Sequence, residues 1–177
     1  MVRLKGGDPM LFARAGEEIA AARAHGIAVE VVPGVMAAQS AAASLLCSLT
    51  HRDHARRVQF VTGQDRTGGL PDGLDWRALA DPGAMTVVYM PRRTLPALAR
   101  RILAFALPAD TPLAVVVDAT RGEEETMVST AGRLAADPKA LAGLKEGPTL
   151  VLYGAALAEI AESAPTPAME PAMRRVA

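Results

Sequence analysis

The chain has 177 residues, half of them hydrophobic and only 3% aromatic, which allows a sizeable core in one ordinary domain or two small ones. Its 19 basic residues balance its 19 acidic ones, so charge favours neither nucleic acid nor a membrane surface as a partner. The single cysteine, Cys47, excludes an internal disulfide framework and a cysteine-based zinc cluster. We predict no metal site, and because no signal peptide or bilayer-spanning run is evident, we expect a soluble cytoplasmic protein.

The first 49 residues alternate between predicted strands and helices. A short strand at residues 2–5 leads into a glycine turn, and Asp8 is predicted to cap a helix that starts at Pro9 and stops at Gly26. A second strand at residues 27–32 is followed by the turn Pro33-Gly34 and a helix from Val35 to about Cys47. This alternation is typical of a parallel α/β sheet. The buried stripe of the first helix is predicted to comprise Leu11, Phe12, Ala15, Ile19 and Ala22.

The remaining residues predict a second α/β unit. Residues 63–73 are rich in glycine and aspartate and are predicted to form a loop. Thr94 is predicted to cap a helix that buries Leu95, Leu98, Ile102 and Phe105. Prolines from residue 165 onward predict a disordered tail. We therefore divide the chain into a first α/β domain (1–49), a linker (50–56), a second α/β domain (57–157) and a helix end with the tail (158–177). Strands are predicted at 57–62, 85–90, 113–117, 125–130 and 149–153.

Two loops have the composition of ligand-binding turns. Gly6, Gly7 and Asp8 follow a predicted strand, where open α/β sheets bind ligands, and the Asp8 carboxylate can accept hydrogen bonds from amino or hydroxyl groups. The alternative is a simple helix cap after a simple turn. The second loop, residues 33–38, begins a helix with small residues that let a bulky ligand approach the main chain. Its alternative is an ordinary strand-to-helix turn.

A polar segment, Thr50-His51-Arg52, is a candidate for binding carboxylates. Arginine has a planar fork of donors that suits bidentate carboxylate binding. Two further pairs, Arg56-Arg57 and Arg92-Arg93, would form a basic wall if they faced a common cleft. The alternative is a solvated linker between two domains.

Three segments taken together resemble a known family. Residues 2–9 (Val-Arg-Leu-Lys-Gly-Gly-Asp-Pro), Pro33-Gly34 and residues 49–53 (Leu-Thr-His-Arg-Asp) occur in this order in the S-adenosylmethionine-dependent tetrapyrrole methylases. The chain is most similar to the uroporphyrinogen-III C-methyltransferases, which lead into sirohaem and cobalamin synthesis, and the resemblance extends from residue 2 to about 156. It implies two α/β lobes with the ligand cleft between them, the first lobe being truncated here.

The resemblance also implies which residues bind ligands. Uroporphyrinogen III, a carboxylate-rich substrate, would contact Thr50, His51 and Arg52. Three positions depart from the family pattern: Met36 stands where a threonine is usual, and Pro91 and Ala119 stand where glycines are usual. Contacts with S-adenosylmethionine are implied for Gly6, Gly7, Asp8, Leu11, Pro33, Met36, Ala37, Met90, Ala119, Pro148 and Thr149.

The family's proposed base and acid, an aspartate and a lysine, correspond to positions upstream of this sequence, so we assign no catalytic residue. We therefore expect impaired methylation of uroporphyrinogen III to precorrin-2. The alternatives are a non-catalytic remnant that binds S-adenosylmethionine and a tetrapyrrole, or a methylase of a later precorrin. The family also implies a homodimer. Since a parallel sheet without all its strands exposes edges and apolar faces, we expect aggregation or dependence on a partner.

Overall fold

The structure is a computed structural model that describes residues 1–137, 139–163 and 174–175. Six strands form one mixed sheet in the order β1-β2-β5-β3-β4-β6. The strands are β1 (Arg57–Thr62), β2 (Ala84–Tyr89), β3 (Pro112–Val117), β4 (Glu125–Thr130), β5 (Thr149–Tyr153) and β6 (Arg174–Arg175). The helices are α1 (Ala15–Ala24), α2 (Ala37–Ser44), α3 (Trp76–Leu79), α4 (Leu95–Ala104), α5 (Ala131–Ala136) and α6 (Ala158–Ser163), with a 3-10 turn at Ala155–Leu157.

Strand β5 occupies the centre of the sheet although it comes late in the chain. It pairs antiparallel with both β2 and β3, whereas β1 and β2 pair in parallel. Every residue of β5 is buried, which agrees with the apolar run at 150–152, since a strand covered on both faces has no polar side. Because β2 and β3 both run opposite to β5, their carboxyl ends lie at the same edge of the sheet, where β5 begins.

The sheet has a separate apolar core on each face. Side chains alternate along β3: Leu113, Val115 and Val117 pack with α3, α4 and α5, whereas Ala114 and Val116 pack with α2 and the 3-10 turn. This alternation accounts for the continuous apolar sequence of a strand that is covered on both sides. Helix α2 therefore packs directly on the sheet of the second predicted domain.

Helix α4 matches its prediction at the start and departs from it at the end. Leu95, Leu98 and Ile102 are fully buried, but Phe105 is 38% exposed because it follows the last helical residue, Ala104. Thr94 occupies the N-cap position without capping through its side chain. Its hydroxyl donates instead to the carbonyl oxygen of Gly63, which fixes the start of the 63–73 loop.

Two predicted strands of the first 35 residues are wrong, and the predicted first helix begins later than expected. Neither residues 2–5 nor residues 27–32 form a strand, because a strand needs a hydrogen-bonded neighbour and none of the described strands pairs with them. No helix starts at Pro9 either: α1 begins at Ala15 after a series of bends, so Asp8 is not a helix cap. Several apolar side chains in these two segments are consequently exposed: Val2, Leu4, Ile27, Val29, Val31 and Val32.

Helix α1 buries none of its residues and is held by charged contacts. The Lys5 Nζ atom lies 2.7 Å from a carboxylate oxygen of Glu18 and donates to the Ala13 carbonyl oxygen at 2.6 Å. Arg3 contacts the other carboxylate oxygen of Glu18 at 3.4 Å. The segment before the glycine turn is thus joined to α1 by ionic rather than apolar contacts.

The end of the chain is only partly described. Arg174–Arg175 pair with Glu125 and Thr126 of β4, so the predicted disordered tail contains a short strand at these two positions. The rest of that prediction, at 164–173 and 176–177, falls outside the described residues. Within the described part of the chain, no helix is long and apolar enough to cross a membrane.

Candidate functional site

Four of the predicted cofactor residues meet at the edge where β2 and β3 end. The amide of Met90, just after β2, donates to the carbonyl oxygen of Thr149 at 3.1 Å. The amide of Asp118, just after β3, donates to the carbonyl oxygen of Pro148 at 2.9 Å. Because Pro148-Thr149 bridges both strand ends, Met90 and Ala119 are held on either side of the start of β5.

The two glycine loops of the first 35 residues contact each other through their backbones. Gly7 has a φ of 93°, which favours glycine, and a Cβ atom on Gly34 would lie 2.9 Å from the Gly7 carbonyl oxygen. These glycines therefore permit close contact between the two loops. A Cβ atom at Gly6, in contrast, would meet nothing within 4 Å, so the space beside Gly6 is open.

Asp8 joins these two loops through both oxygens of its carboxylate. One oxygen accepts from the Met10 amide at 2.8 Å and the other from the Gly34 amide at 2.9 Å. These amides, the Gly34 amide first, hold the pKa of Asp8 below its usual value, so the carboxylate remains ionised at neutral pH. Each oxygen keeps a further lone pair with which it can accept from a ligand.

Tyr89 joins the second glycine loop and Phe12 to the sheet, a role that our sequence analysis missed. Its hydroxyl oxygen accepts from the Ala38 amide at 3.2 Å, and its ring centroid lies 4.8 Å from that of Phe12. Burial is the main cause that raises the pKa of Tyr89, with a smaller contribution from the Asp8 charge. The sequence could have indicated this role, because a tyrosine ends an otherwise apolar strand and its half-buried hydroxyl needs a hydrogen-bond partner.

A cavity of about 780 Å³ opens beside this strand edge, and Met90, Pro148 and Thr149 line part of it. The charged part of the remaining wall is mostly basic. Arg92 is fixed in place, because its Nη2 atom donates to the Leu144 carbonyl oxygen at 2.6 Å and its Nε atom lies 3.2 Å from Glu146. The charged side chains that line the cavity are Arg92, Arg93, Lys139 and Glu146.

Backbone strain is present at several positions of the same region. Met90, Asp118 and Thr120 have φ values of 56°, 53° and 61°, in the left-handed region that non-glycine residues rarely adopt. Phe12 and Arg14, in the segment after the glycine turn, have φ values of 51° and 58°. Such strain persists only where the surroundings enforce it, and it is commonly found near functional sites.

Some predicted cofactor residues, among them Ala119 at the strand edge, have part of their surface or hydrogen-bonding capacity already used within the protein. The methionine side chain has no donor, so Met36 could donate to a ligand only through its backbone amide. That amide already donates to the Gln39 side chain at 3.0 Å. Ala119 packs partly against the α2 side of the sheet, and Leu11 is half-buried. The geometry thus favours Gly6, Asp8 and the Met90–Thr149 edge as ligand contacts over Met36.

The predicted substrate segment lies away from this cluster. His51 and Ala55 exchange backbone hydrogen bonds at 2.8 and 3.0 Å, which closes a tight turn around Arg52. This turn lies just before β1, whereas Met90 lies just after β2, the parallel neighbour of β1. The two strands are paired over six residues, so the turn and Met90 are separated by the length of a strand, roughly 20 Å. The structure therefore does not bring Thr50, His51 and Arg52 together with the cofactor residues.

The condition for a basic wall, that both arginine pairs face one cleft, is not met for the same reason. Arg57 opens β1 and pairs with Asp81 at 2.6 Å, so its charge is neutralised at the amino end of the strand. Arg92 and Arg93 follow the opposite end of β2. The two arginine pairs consequently face different edges of the sheet.

Comparison with known proteins agrees with this architecture. The family model of tetrapyrrole (corrin/porphyrin) methylases matches residues 1–135. A siroheme synthase of Stutzerimonas stutzeri is 40% identical over 154 residues, which cover 87% of this chain and 32% of that protein. An S-adenosyl-L-methionine-dependent uroporphyrinogen III methyltransferase of Arabidopsis thaliana is 42% identical over 154 residues, or 87% of this chain and 41% of that protein. The chain thus spans well under half the length of these two relatives.

A solved structure gives the same result. The uroporphyrin-III C-methyl transferase of Thermus thermophilus, complexed with S-adenyl homocysteine, matches with a TM-score of 0.76 and 32% identity over 90% of this chain and 67% of that one. The predicted α/β fold of the tetrapyrrole methylases is therefore confirmed. These similar proteins are methyltransferases by name. Since the family model matches most of its length, the chain belongs to the tetrapyrrole methylase family.

Proposed function

We propose that this chain provides the S-adenosylmethionine site and part of the substrate site of a uroporphyrinogen-III C-methyltransferase in sirohaem biosynthesis. One observation carries the proposal: Tyr89, beside the strand edge that contains Met90 and Thr149, contacts both Ala38 of the second glycine loop and Phe12, which follows the first. The names of the Arabidopsis and Thermus relatives support the choice of reaction and donor.

The residues at this edge fit a nucleoside-containing donor. The cavity of about 780 Å³ lies within the range of roughly 300–1,000 Å³ that is usual for small-molecule sites. Its apolar part includes Met90 and Pro148, against which a purine ring can pack, and the open space beside Gly6 admits a ligand close to the main chain. The ionised Asp8 carboxylate offers acceptors for amino or hydroxyl groups.

When bound, S-adenosylmethionine supplies an electrophilic methyl group for an in-line displacement by a pyrrole carbon. The residues of this chain contribute by orientation, because holding two reactants in line removes most of the entropic cost of their encounter. Asp8 and the Gly7–Gly34 contact hold one wall of the site, and the bridge from Met90 to Thr149 holds the other. We assign no proton transfer to a residue of this chain.

The proposed substrate is rich in carboxylates, and cationic side chains line the cavity beside the strand edge. Arg93 and Lys139 line it, and Arg92 is already engaged by Leu144 and Glu146. We assign Arg93 and Lys139 to the attraction of substrate carboxylates. Thr50, His51 and Arg52 remain in the proposal as more distant contacts to the same polyanion.

The test is binding of S-adenosylhomocysteine by isothermal titration calorimetry, followed by incubation with labelled S-adenosylmethionine and uroporphyrinogen III. We expect saturable one-site binding by the wild type. In the Asp8→Ala variant we expect at least a tenfold loss, about 1.4 kcal/mol, because the tie between the loops and a ligand acceptor are removed together. Asp53→Ala, in the distant turn after Arg52, is the matched control and should bind like the wild type.

The outcomes separate the alternatives. Label transfer to uroporphyrinogen III supports the methyltransferase, and binding without transfer supports a non-catalytic binding protein. Transfer only to an already methylated precorrin supports the later methylase. A folded wild-type protein that binds no S-adenosylhomocysteine would refute the proposal. The homodimer and the cytoplasmic location stay predictions. Sedimentation velocity measures the oligomeric state directly.

A further inference from the structure

Glu124 is a buried carboxylate that no part of the proposed chemistry uses. It lies in the loop between β3 and β4, and only 3% of the residue is exposed. One of its oxygens accepts hydrogen bonds from the Ser44 hydroxyl, at 2.8 Å, and from the Thr120 amide. The other oxygen, Oε1, is buried and has no hydrogen-bond partner among the described residues.

A carboxylate in this position is a poor choice for stability alone. Removing a charged group from water costs free energy unless it is paired, and both donors to Glu124 are neutral. Among the described residues, no lysine or arginine forms a salt bridge with it. A buried carboxyl group with one unpartnered oxygen calls for a role other than packing.

The contacts of Glu124 show what it holds. Thr120 follows Ala119, one of the proposed cofactor residues, and the backbone at Thr120 is strained with a φ of 61°. On the other side of Ala119, the Asp118 carboxylate lies 2.8 Å from Lys145, and the Asp118 amide donates to Pro148. Ala119 is therefore flanked by two anchors, and Glu124 provides one of them.

The second donor, Ser44, is the last residue of α2, the helix that begins beside the proposed cofactor loop. Tyr89 binds the first turn of this helix at Ala38, and Glu124 binds its end at Ser44. The helix is thus tied at both ends to the same edge of the sheet. A displacement of the Glu124 carboxylate would release both the end of α2 and the loop that contains Ala119.

We propose that Glu124 is a positioning residue, which fixes the Ala119–Thr120 wall and helix α2 in the spacing that accepts the methyl donor. This inference rests on the proposed function. The positioning role requires at residue 124 a side chain of glutamate length with one acceptor oxygen, and it does not require a negative charge. Glutamine meets that requirement, because its amide oxygen can accept from both Thr120 and Ser44.

The test compares Glu124→Gln and Glu124→Ala in the full chain by thermal unfolding and by S-adenosylhomocysteine calorimetry. We expect Glu124→Gln to bind within about twofold of the wild type and Glu124→Ala to bind at least about tenfold more weakly while still folded at the assay temperature. Ile102→Val, which removes one methyl group from the core on the opposite face, is the control. It should lower Tm and leave the affinity unchanged.

Amide exchange at Thr120, measured without ligand, gives a second readout. It should be slow in the wild type and in Glu124→Gln and fast in Glu124→Ala, because the carboxylate holds this amide. If the wild type binds and Glu124→Ala binds equally well, the inference is overturned and the proposed function stands. If Glu124→Gln fails as Glu124→Ala does, the role is not positioning by an acceptor. If the wild type itself does not bind, the proposed function fails and the inference fails with it.

Discussion

The carboxylate of Asp8 connects two loops that are 26 residues apart in sequence. Its amide donors lie on different loops, and the close Gly7–Gly34 contact requires that Gly34 lack a side chain, while the φ of 93° favours glycine at Gly7. The same three residues are those that the family resemblance assigns to the cofactor or places beside it. The residues that suggest ligand contact therefore also hold together the two loops against which the ligand is proposed to lie.

Gly34→Ala tests the contact between the two loops. The new Cβ would lie 2.9 Å from the Gly7 carbonyl oxygen, so the loops must move apart. Because both loops are exposed, we expect the free energy of unfolding to change by less than about 0.5 kcal/mol. We expect the affinity for S-adenosylhomocysteine to fall about tenfold, which calorimetry and chemical denaturation together measure.

Gly16→Ala is the matched control, since a Cβ at Gly16 meets nothing within 4 Å and the residue lies in α1. It should bind like the wild type and be more stable by about 0.5–1 kcal/mol. Equal affinities for Gly34→Ala and the wild type would show that the loop contact plays no part in binding.

The elements of the second half could be predicted from the sequence because their apolar patterns are local and are satisfied locally. Strand β1 was predicted with its observed bounds, and α4 begins where its apolar stripe begins. The position of β5 at the centre of the sheet could not be predicted, because strand order depends on contacts between distant residues. Likewise, the pattern at 27–32 indicates a strand, but without a hydrogen-bonded neighbour it forms none.

The site was predicted less completely than the fold. The motifs identified Asp8, Met90 and Thr149, which the structure brings to one region, although their contacts with a ligand stay predictions. They did not identify Tyr89 or Glu124, because each acts through a backbone amide and any residue can provide one. Arg57 was misjudged because its neutralising partner, Asp81, is 24 residues away.

Helix α1 is the element whose attachment is most sensitive to charge. None of its residues is buried, and Glu18 alone contacts both Arg3 and Lys5. We therefore expect Glu18→Gln to speed amide exchange across α1 by several-fold, because the surface contacts that hold it are individually weak. Raising the salt concentration should have the same effect on the wild type.

Glu17→Gln is the control for that experiment. Among the described residues, the salt bridge of Glu17 is with Arg14 at the start of the same helix, so its loss removes a local contact and leaves the salt bridges of Glu18 with Arg3 and Lys5 in place. If Glu17→Gln and Glu18→Gln speed the exchange equally, the ionic contacts with Arg3 and Lys5 do not hold α1.

At the scale of the whole molecule, the sheet and the first 35 residues differ in how much apolar surface they bury. The sheet is covered on both faces, whereas residues 1–35 expose many apolar side chains, Val2 and Leu4 at 83% each. Exposed apolar patches commonly mark a surface that another protein or segment covers. Aggregation or dependence on a partner therefore stays a prediction of this account.

The proposed site draws on both parts of the molecule, so its defining property is that one ligand contacts them together. Hydrogen exchange measured by mass spectrometry, with and without saturating S-adenosylhomocysteine, tests this claim most directly. We predict slower exchange at residues 6–8 and 34–37 and, at the same ligand concentration, at residues 90, 119–120 and 149. Protection confined to one of these groups, or found only in the turn around Arg52, would contradict the account.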